Sequence, residues 1–211
     1  MIATDRNDYD MVNFLVAQGA EINDYNTVLN TAIMPAAEKG CTRIFDLLVE
    51  RGVDVYSYDD RFEDSLMFAV SNGQIEIVER ILDIYKKDGK LEYINDGNKN
   101  DLTPLMMAAA NGRIDLVKLL LDNGADLHAR TTHSATPDDE FTASGNTSLH
   151  YAALNGHAEM VKLLLSEGAD PNMGNNHGTT ALMCAAKHGN LDTLELILGC
   201  LDSSDERVTN P

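Results

Sequence analysis

The chain has 211 residues, and its 34 acidic and 16 basic side chains give a formal net charge of −18 at pH 7. This charge argues against direct binding of nucleic acid or of an anionic membrane surface, because both depend on cationic contacts to phosphate. No apolar run approaches the roughly 20 residues that span a bilayer, and the first residues do not resemble a signal peptide. The cysteines Cys41, Cys184 and Cys200 form no Cys-x-x-Cys pair. We therefore expect reduced thiols and a cytoplasmic protein, in a host cytosol if it is a secreted effector.

One position recurs along the chain at a regular interval, and we call it the marker. The marker residues are Asn7, Gly40, Gly73, Gly112, Gly156 and Gly189. Consecutive markers lie 33 residues apart, except for intervals of 39 and 44 residues on the two sides of Gly112. A fixed period of this length indicates one supersecondary unit copied in series. The sequence therefore predicts about six repeats, interrupted by insertions of six and eleven residues.

Each marker is followed by paired apolar residues at the spacing of one stripe on a helix. The pairs, in chain order, are Met11, Val12, Leu15 and Val16; Ile44, Phe45, Leu48 and Val49; Ile77, Val78, Ile81 and Leu82; Leu116, Val117, Leu120 and Leu121; Met160, Val161, Leu164 and Leu165; and Thr193, Leu194, Ile197 and Leu198. The stripes are closed by Gly19, Gly52, Gly124 and Gly168, residues that tolerate the left-handed backbone at a helix end. The last repeat has Leu201 there instead. A shorter, alanine-rich helix is expected before each marker.

A short motif opens several of these alanine-rich segments. It reads Thr103-Pro104-Leu105-Met106-Met107-Ala108 in one repeat, starts again at Thr147 and Thr180, and is weaker at Asp64 and Thr31. Together with the markers and the apolar pairs, this motif resembles the ankyrin-repeat family over roughly residues 3 to 200. The resemblance implies an all-α, mainly helical repeat, an ankyrin-type α-solenoid. It would consist of about six helix-turn-helix repeats stacked in an arc, with short β-hairpin fingers projecting from one edge.

The same register predicts the domain boundaries. An array over residues 1–201 is followed by a polar tail, 202–211, which we expect to be mobile or extended. The approximate repeats are 1–23, 24–56, 57–95, 96–128, 129–172 and 173–201. The insertions fall at about residues 85–92, where they should lengthen a helix and its loop, and at 131–144, where they should form a long finger or mobile loop.

Both ends of the array depart from the pattern. The first repeat starts part-way through its first helix, and the last keeps apolar residues such as Ile197 and Leu201. Stacked arrays need a polar outer face on their terminal repeats. We therefore expect either that the chain is cut from a longer protein or that self-association covers an array end.

The resemblance implies a protein–protein interaction module, which could be an adaptor, an inhibitor or a substrate-recognition array. In ankyrin-repeat proteins, partners commonly contact the fingers and the residues just before the marker glycine, on the concave face. The negative charge, much of it in the turn segments, predicts a partner with a basic surface. Two alternatives stay open. The chain could be the non-catalytic recognition domain of a larger enzyme or secreted effector whose catalytic domain lies outside it, or it could be a structural spacer.

Candidate partner-binding residues are acids in the fingers, aromatics in the fingers, and polar residues just before the markers. They are Tyr25, Tyr56, Tyr58, Asp59, Asp60, Phe62, Glu63, Asn72, Asn111, Asp138, Asp139, Glu140, Phe141, Asn155 and His188. Aromatic side chains beside charges are typical binding anchors. An aspartate in a turn also bonds its own backbone, and an aromatic in a turn can pack on its own hairpin. The sequence alone does not separate these interpretations.

No catalytic, cofactor-binding or metal-binding pattern is present. The repeat itself accounts for His150 in the opening motif and for His157 directly after its marker. The histidines His128, His133 and His177 lie in separate turns with no close ligand pair. Glycine-rich phosphate loops and a Gly-x-Ser-x-Gly motif are absent from the sequence. We therefore expect no enzymatic activity, no cofactor and no metal.

Overall fold

The computed structural model describes residues 1–133, 141 and 144–205, with side chains described as far as residue 201. Within these residues the chain forms twelve α-helices and one 3₁₀ helix. Strand pairing in the same residues is limited to two isolated bridges, Tyr58 with Asp64 and Gly174 with Thr180. The predicted all-α repeat is thereby confirmed, and its fingers, as far as the structure describes them, are turns rather than β-hairpins. The chain divides into two compact units, Met1–Lys99 and Asn100–Pro211.

The N-terminal unit contains three helix pairs. They are α1 (Ile2–Asp5) with α2 (Tyr9–Ala17), α3 (Ile33–Glu38) with α4 (Thr42–Glu50), and α5 (Ser65–Ser71) with α6 (Ile75–Asp88). A 3₁₀ helix, Leu91–Asn95, follows α6 and packs against it. The first helices of the pairs pack in one row, α1 on α3 and α3 on α5, and the second helices pack in another, α2 on α4 and α4 on α6.

The C-terminal unit repeats this arrangement. Its pairs are α7 (Pro104–Ala110) with α8 (Ile114–Asp122), α9 (Ser148–Leu154) with α10 (Ala158–Ser166), and α11 (Ala181–Lys187) with α12 (Leu191–Asp205). Here α9 packs between α7 and α11, and α10 packs between α8 and α12. Six pairs in the two units agree with the number of repeats that the markers predict.

The markers have a common backbone conformation. Asn7 and the five marker glycines all adopt a left-handed φ, between 54° and 72°. The residue after a marker also reaches back to the preceding repeat: Gln74 donates to Glu38 O at 3.1 Å and His157 Nε2 donates to Ala110 O at 2.9 Å. A Cβ added at Gly112 would lie 2.9 Å from Nδ1 of His157. Glycine therefore meets two requirements at this site, the left-handed turn and the close approach of the next repeat.

The closing glycine controls the length of the second helix. The four repeats that have it end that helix after nine residues. Tyr85 and Leu201 stand at the closing position in the other two, and their helices continue to 14 and 15 residues. At the six-residue insertion α6 runs to Asp88 and is followed by Gly89 with φ 66°. Residues 203–205, expected to be extended or mobile, belong to α12 together with Asp202; residues 206–211 lie outside the described residues.

The core is a strip between the two rows of helices. Ile44, Phe45, Ile77, Val117 and Val161 are fully buried, as the apolar stripe requires. The terminal helices have a neighbour on one side only, and their stripes are partly exposed. In α2 only Val12 is buried among the predicted stripe residues, whereas Met11 and Leu15 are 47% and 43% exposed. In the part of the chain that the structure describes, no helix has both the length and the apolar character to cross a membrane.

Candidate functional site

In several fingers, the side chain of the residue fourteen positions before the marker holds the turn. Its oxygen accepts backbone N–H bonds from the residues two and four further on. Asn26 accepts from Val28 and Asn30, Asp59 from Arg61 and Glu63, and Asn175 from His177 and Thr179, all at 2.8–3.0 Å. Asp59 is only 2% exposed, and its second oxygen pairs with Arg61 Nε at 3.1 Å. This predicted contact residue therefore builds the finger.

Three residues further on, each finger has a left-handed residue. These residues are Leu29, Phe62, Asp101, Gly145 and Gly178. In Gly145 and Gly178 the conformation is unstrained, but for a bulky residue such as Phe62, with φ 59°, it costs of the order of 1–2 kcal/mol. Despite this cost the Phe62 side chain gains little burial, since it is 50% exposed. Backbone strain that exposes an aromatic ring is an observation that points to binding.

The finger between α4 and α5, residues 51–64, contains three aromatic residues in two environments. Tyr58, 55% exposed, meets Phe62 edge to face with ring centroids 5.3 Å apart. Tyr56 instead packs inward, stacked on Tyr85 at 5.4 Å and tilted against Tyr93 at 5.1 Å. Burial, followed by the hydrogen bond to Asp88, raises the pKa of Tyr56 above its usual value. Two of the three finger aromatics are thus presented to solvent, and the third packs on tyrosines of α6 and of the 3₁₀ helix.

The 51–64 finger forms one wall of a cleft of about 280 Å³, which we call the aromatic cleft. The residues that line it are Tyr56, Tyr58, Phe62, Asp64, Met67, Tyr93, Asp96 and Gly97. Asp64 is buried and caps α5 by accepting from Met67 N at 2.8 Å. Burial raises the pKa of Asp64 to about 6, and the nearby Asp96 acts in the same direction. Burial and the neighbouring Glu92 likewise raise the pKa of Asp96.

Cations already lie against this cluster. Lys90 Nζ is 4.0 Å from the ring centroid of Tyr56, and Lys99 Nζ is 5.8 Å from that of Phe62. Arg61 pairs with Glu63 at 2.8 Å, and Asn98 donates to the other oxygen of Glu63 at 3.1 Å. Glu63 is therefore engaged within the finger, whereas Asp60 is exposed.

The family model described as ankyrin repeats (3 copies) matches residues 1–93, 36–131 and 132–208. The chain belongs to the ankyrin-repeat family. Ankyrin repeats are generally protein–protein interaction modules, and the family is typically non-catalytic. None of the curated proteins compared with the chain matches it.

The remaining candidate residues fall at separate places in the ankyrin repeats. Asn72, Asn111, Asn155 and His188 are the exposed C-cap residues of α5, α7, α9 and α11. The amides of Asn72 and Asn155 donate to carbonyl oxygens of their own helices at 2.9 and 2.8 Å. Tyr25 is 66% exposed in an earlier finger. These positions are open to solvent, and none of them lines the aromatic cleft.

The long insertion is described only in part. Phe141 is half-buried, with Lys187 Nζ 4.1 Å from its ring centroid, and Asn146 donates to its carbonyl oxygen at 2.8 Å. The ring is thus packed back onto the C-terminal unit. Asp138, Asp139 and Glu140 lie outside the described residues.

The ankyrin signature histidine has a structural role. The carbonyl of Thr179 can only accept, so Nε2 of the buried His150 donates to it at 3.0 Å, and Nδ1 accepts from Thr147 in a capping box. Burial lowers the pKa of His150, which keeps the ring neutral. Among the described residues no group of three or more His, Cys, Asp or Glu side chains could hold a metal ion.

Sequence reasoning missed most of the cleft. Asp64, Met67, Tyr93 and Asp96 line the cleft but were not among the candidate residues. Tyr85, on which Tyr56 stacks, was not among them either. A signal was present in the register, because Tyr85 replaces a closing glycine and Asp64 replaces the threonine that opens other repeats. The alignment of Asp59 with Asn26 and Asn175 would likewise have indicated its turn-forming role.

Proposed function

We propose that this ankyrin-repeat chain binds a protein with a basic surface through its finger edge and the helix ends before the markers. The observation that carries the proposal is the exposed Tyr58–Phe62 pair in the 51–64 finger. Phe62 has a strained left-handed backbone there, and its ring is nevertheless exposed. An aromatic pair of this kind offers apolar area with little side-chain entropy to lose on binding.

Charge supports the choice of partner. The chain has a formal net charge of −18, and the exposed Asp60 stands in the same finger as the aromatic pair. Complementary charge mainly increases the association rate, while buried aromatic anchors mainly slow dissociation. We accordingly assign steering to Asp60 and to Asp138, Asp139 and Glu140, and anchoring to Tyr58, Phe62 and Phe141. Asp59, Glu63 and Tyr56 act by holding the finger in shape. Further contact residues are Tyr25, Asn72, Asn111, Asn155 and His188.

The test needs an identified partner, isolated with the wild-type chain and then measured kinetically. Asp60→Asn should slow association, and added salt should slow it further. Glu159→Gln removes the same charge from an exposed position on α10 and is the matched control. If the two variants slow association equally, the net charge rather than the finger edge attracts the partner. If neither variant nor salt has an effect, the proposed basic partner is wrong.

A further inference from the structure

We infer that the aromatic cleft receives one cationic side chain, a lysine or arginine, from a protein partner. This inference rests on the proposed function, since it assumes that a basic protein is bound, but it identifies where a single charge is taken up. It goes beyond attraction by the acidic edge, because it requires a specific pocket.

The lining of the cleft has the chemistry that a cation needs. Four aromatic rings and two carboxylates surround the space, and none of its eight lining residues is a lysine, arginine or histidine. Aromatic faces attract ammonium and guanidinium groups through the ring quadrupole. The cleft has a volume of about 280 Å³, which is slightly smaller than the roughly 300–1,000 Å³ of pockets that bind drug-sized ligands. A single side chain is therefore a better fit than a larger small molecule.

Among the residues that the structure describes, the carboxylates of the cleft have no cationic partner. Asp64 accepts from Met67 N and from the hydroxyl of Tyr85, both neutral donors. In the described part of the chain, neither Asp64 nor Asp96 forms an ion pair, although Arg61 and Lys86 nearby do so with other acids. A buried carboxylate without a cation is destabilising, and a positive charge placed beside it recovers part of that energy.

The protein's own cations show that these rings attract positive charge. Lys90 lies over Tyr56 and is 5.9 Å from the centroid of Tyr93, while Lys99 lies near Phe62. Neither lysine lines the cleft itself. Since Lys99 repels an incoming cation, its removal should strengthen binding, which is an effect opposite to that of most substitutions.

The cleft can be tested without knowledge of the partner. The full-length chain is labelled with ¹³C at its methionine methyl groups and titrated with Nα-acetyl-lysine methylamide and with the arginine analogue. Met67 lines the cleft and reports on it, and Met183, 52% exposed on α11, is the reference. The neutral control is Nα-acetyl-norleucine methylamide with matched sodium chloride.

We expect the cationic probes to shift Met67 and leave Met183 unmoved, with weaker or no response to the norleucine probe. Tyr58→Ala and Asp96→Asn should each weaken the interaction about three-fold, and Lys99→Gln should strengthen it about two-fold. Tyr25→Ala removes an exposed tyrosine from another finger, outside the cleft, and should leave the response of Met67 to the probes unchanged. Because Tyr58 and Tyr25 are both exposed, neither substitution should prevent folding.

Three outcomes overturn the inference. An equal response to the norleucine probe would make the cleft merely apolar, a shift of Met183 as large as that of Met67 would mean unspecific binding, and no shift would mean no site. Failure here is distinguishable from failure of the proposed function. If Met67 does not respond but Asp60→Asn still slows partner association, the acidic finger edge stands and only the cleft is rejected.

Discussion

The hydroxyl of Tyr85 donates to Oδ2 of Asp64 at 3.0 Å, and both side chains are buried. Each of the two residues departs from the repeat. Tyr85 stands where other repeats have a closing glycine, and Asp64 stands where Thr31, Thr103, Thr147 and Thr180 occupy the equivalent position. The two departures compensate each other, since the longer α6 carries a donor to the carboxylate that caps α5.

This pair predicts a specific pH dependence of stability. Burial raises the pKa of Asp64 to about 6 in the folded state, against 3.8 for an unperturbed aspartate. The folded protein therefore holds this proton more tightly than the unfolded chain does. Protonated Asp64 therefore contributes stability that is fully present below about pH 4. This stability is lost as the pH rises through about 6, and the loss in the free energy of unfolding is at most about 3 kcal/mol.

Asp64→Asn should remove that dependence, because asparagine also caps helices but does not ionise. Urea unfolding of both proteins between about pH 4 and pH 7 should show the variant gaining stability relative to the wild type as pH rises. Taking the difference between the two proteins cancels the titration of the other acids. A difference that is constant over this range would mean that Asp64 has an ordinary pKa.

Asp59→Asn should be tolerated, whereas Asp59→Ala should not. Asparagine makes the same two backbone hydrogen bonds at residues 26 and 175. The asparagine variant loses only the ion pair with the exposed Arg61, worth about 0–1 kcal/mol. Alanine also leaves two backbone N–H groups without their acceptor, at a cost of about 1–3 kcal/mol. Chemical unfolding would contradict this role if both variants lost the same stability.

Phe62→Gly should separate binding from stability. Glycine relieves the left-handed strain but adds freedom to the unfolded chain and loses the ring contact with Tyr58, so we expect a net change within about 1 kcal/mol. Binding to the partner should weaken by more than about 1 kcal/mol. Leu29→Gly, at the same φ region and 41% exposed, is the matched control and should not affect binding. Equal losses of affinity in the two variants would place the anchor elsewhere.

Gly112→Ala should destabilise the fold more than Gly124→Ala. Both glycines have a left-handed φ, so alanine is strained at each by about 1 kcal/mol. Only at Gly112 would the new Cβ also meet His157, whose hydrogen bond to Ala110 is then displaced at a further cost of about 1 kcal/mol. Adding His157→Ala to both variants should reduce the difference between them in thermal unfolding. If the difference persists, the close approach is not its cause.

The outer face of α2 should promote self-association. Phe14 is 59% exposed beside Met11 and Leu15, so the first helix pair presents apolar side chains that no residue described by the structure covers. Sedimentation equilibrium should show an average mass that rises with concentration, and Phe14→Asp should lower it. The control is Phe62→Asp, which makes the same substitution in a finger instead of on α2. A monomer at all concentrations would contradict the expected association.

The repeat architecture could be predicted from the sequence because its signals are local. A left-handed turn needs glycine or asparagine, which is why even Asn7 could be assigned to the marker, and a closing glycine ends a helix wherever it occurs. The six-residue insertion likewise predicts the longer α6. These features depend on backbone conformation within a few residues, and such preferences survive in any tertiary context.

The candidate site was decided by packing. The cleft joins residues from 56 to 97, which lie on the finger, on α5, on the 3₁₀ helix and on the segment after it. Their proximity therefore exists only once these elements pack. The sequence also marked Asp59, Tyr56 and Phe62 alike as finger residues. Their roles differ because the fold directs Asp59 into the turn, stacks Tyr56 on Tyr85 and leaves Phe62 exposed. Residue type fixes what a side chain can bond, but the number of neighbours around it decides whether that capacity is used inside the protein or offered to a partner.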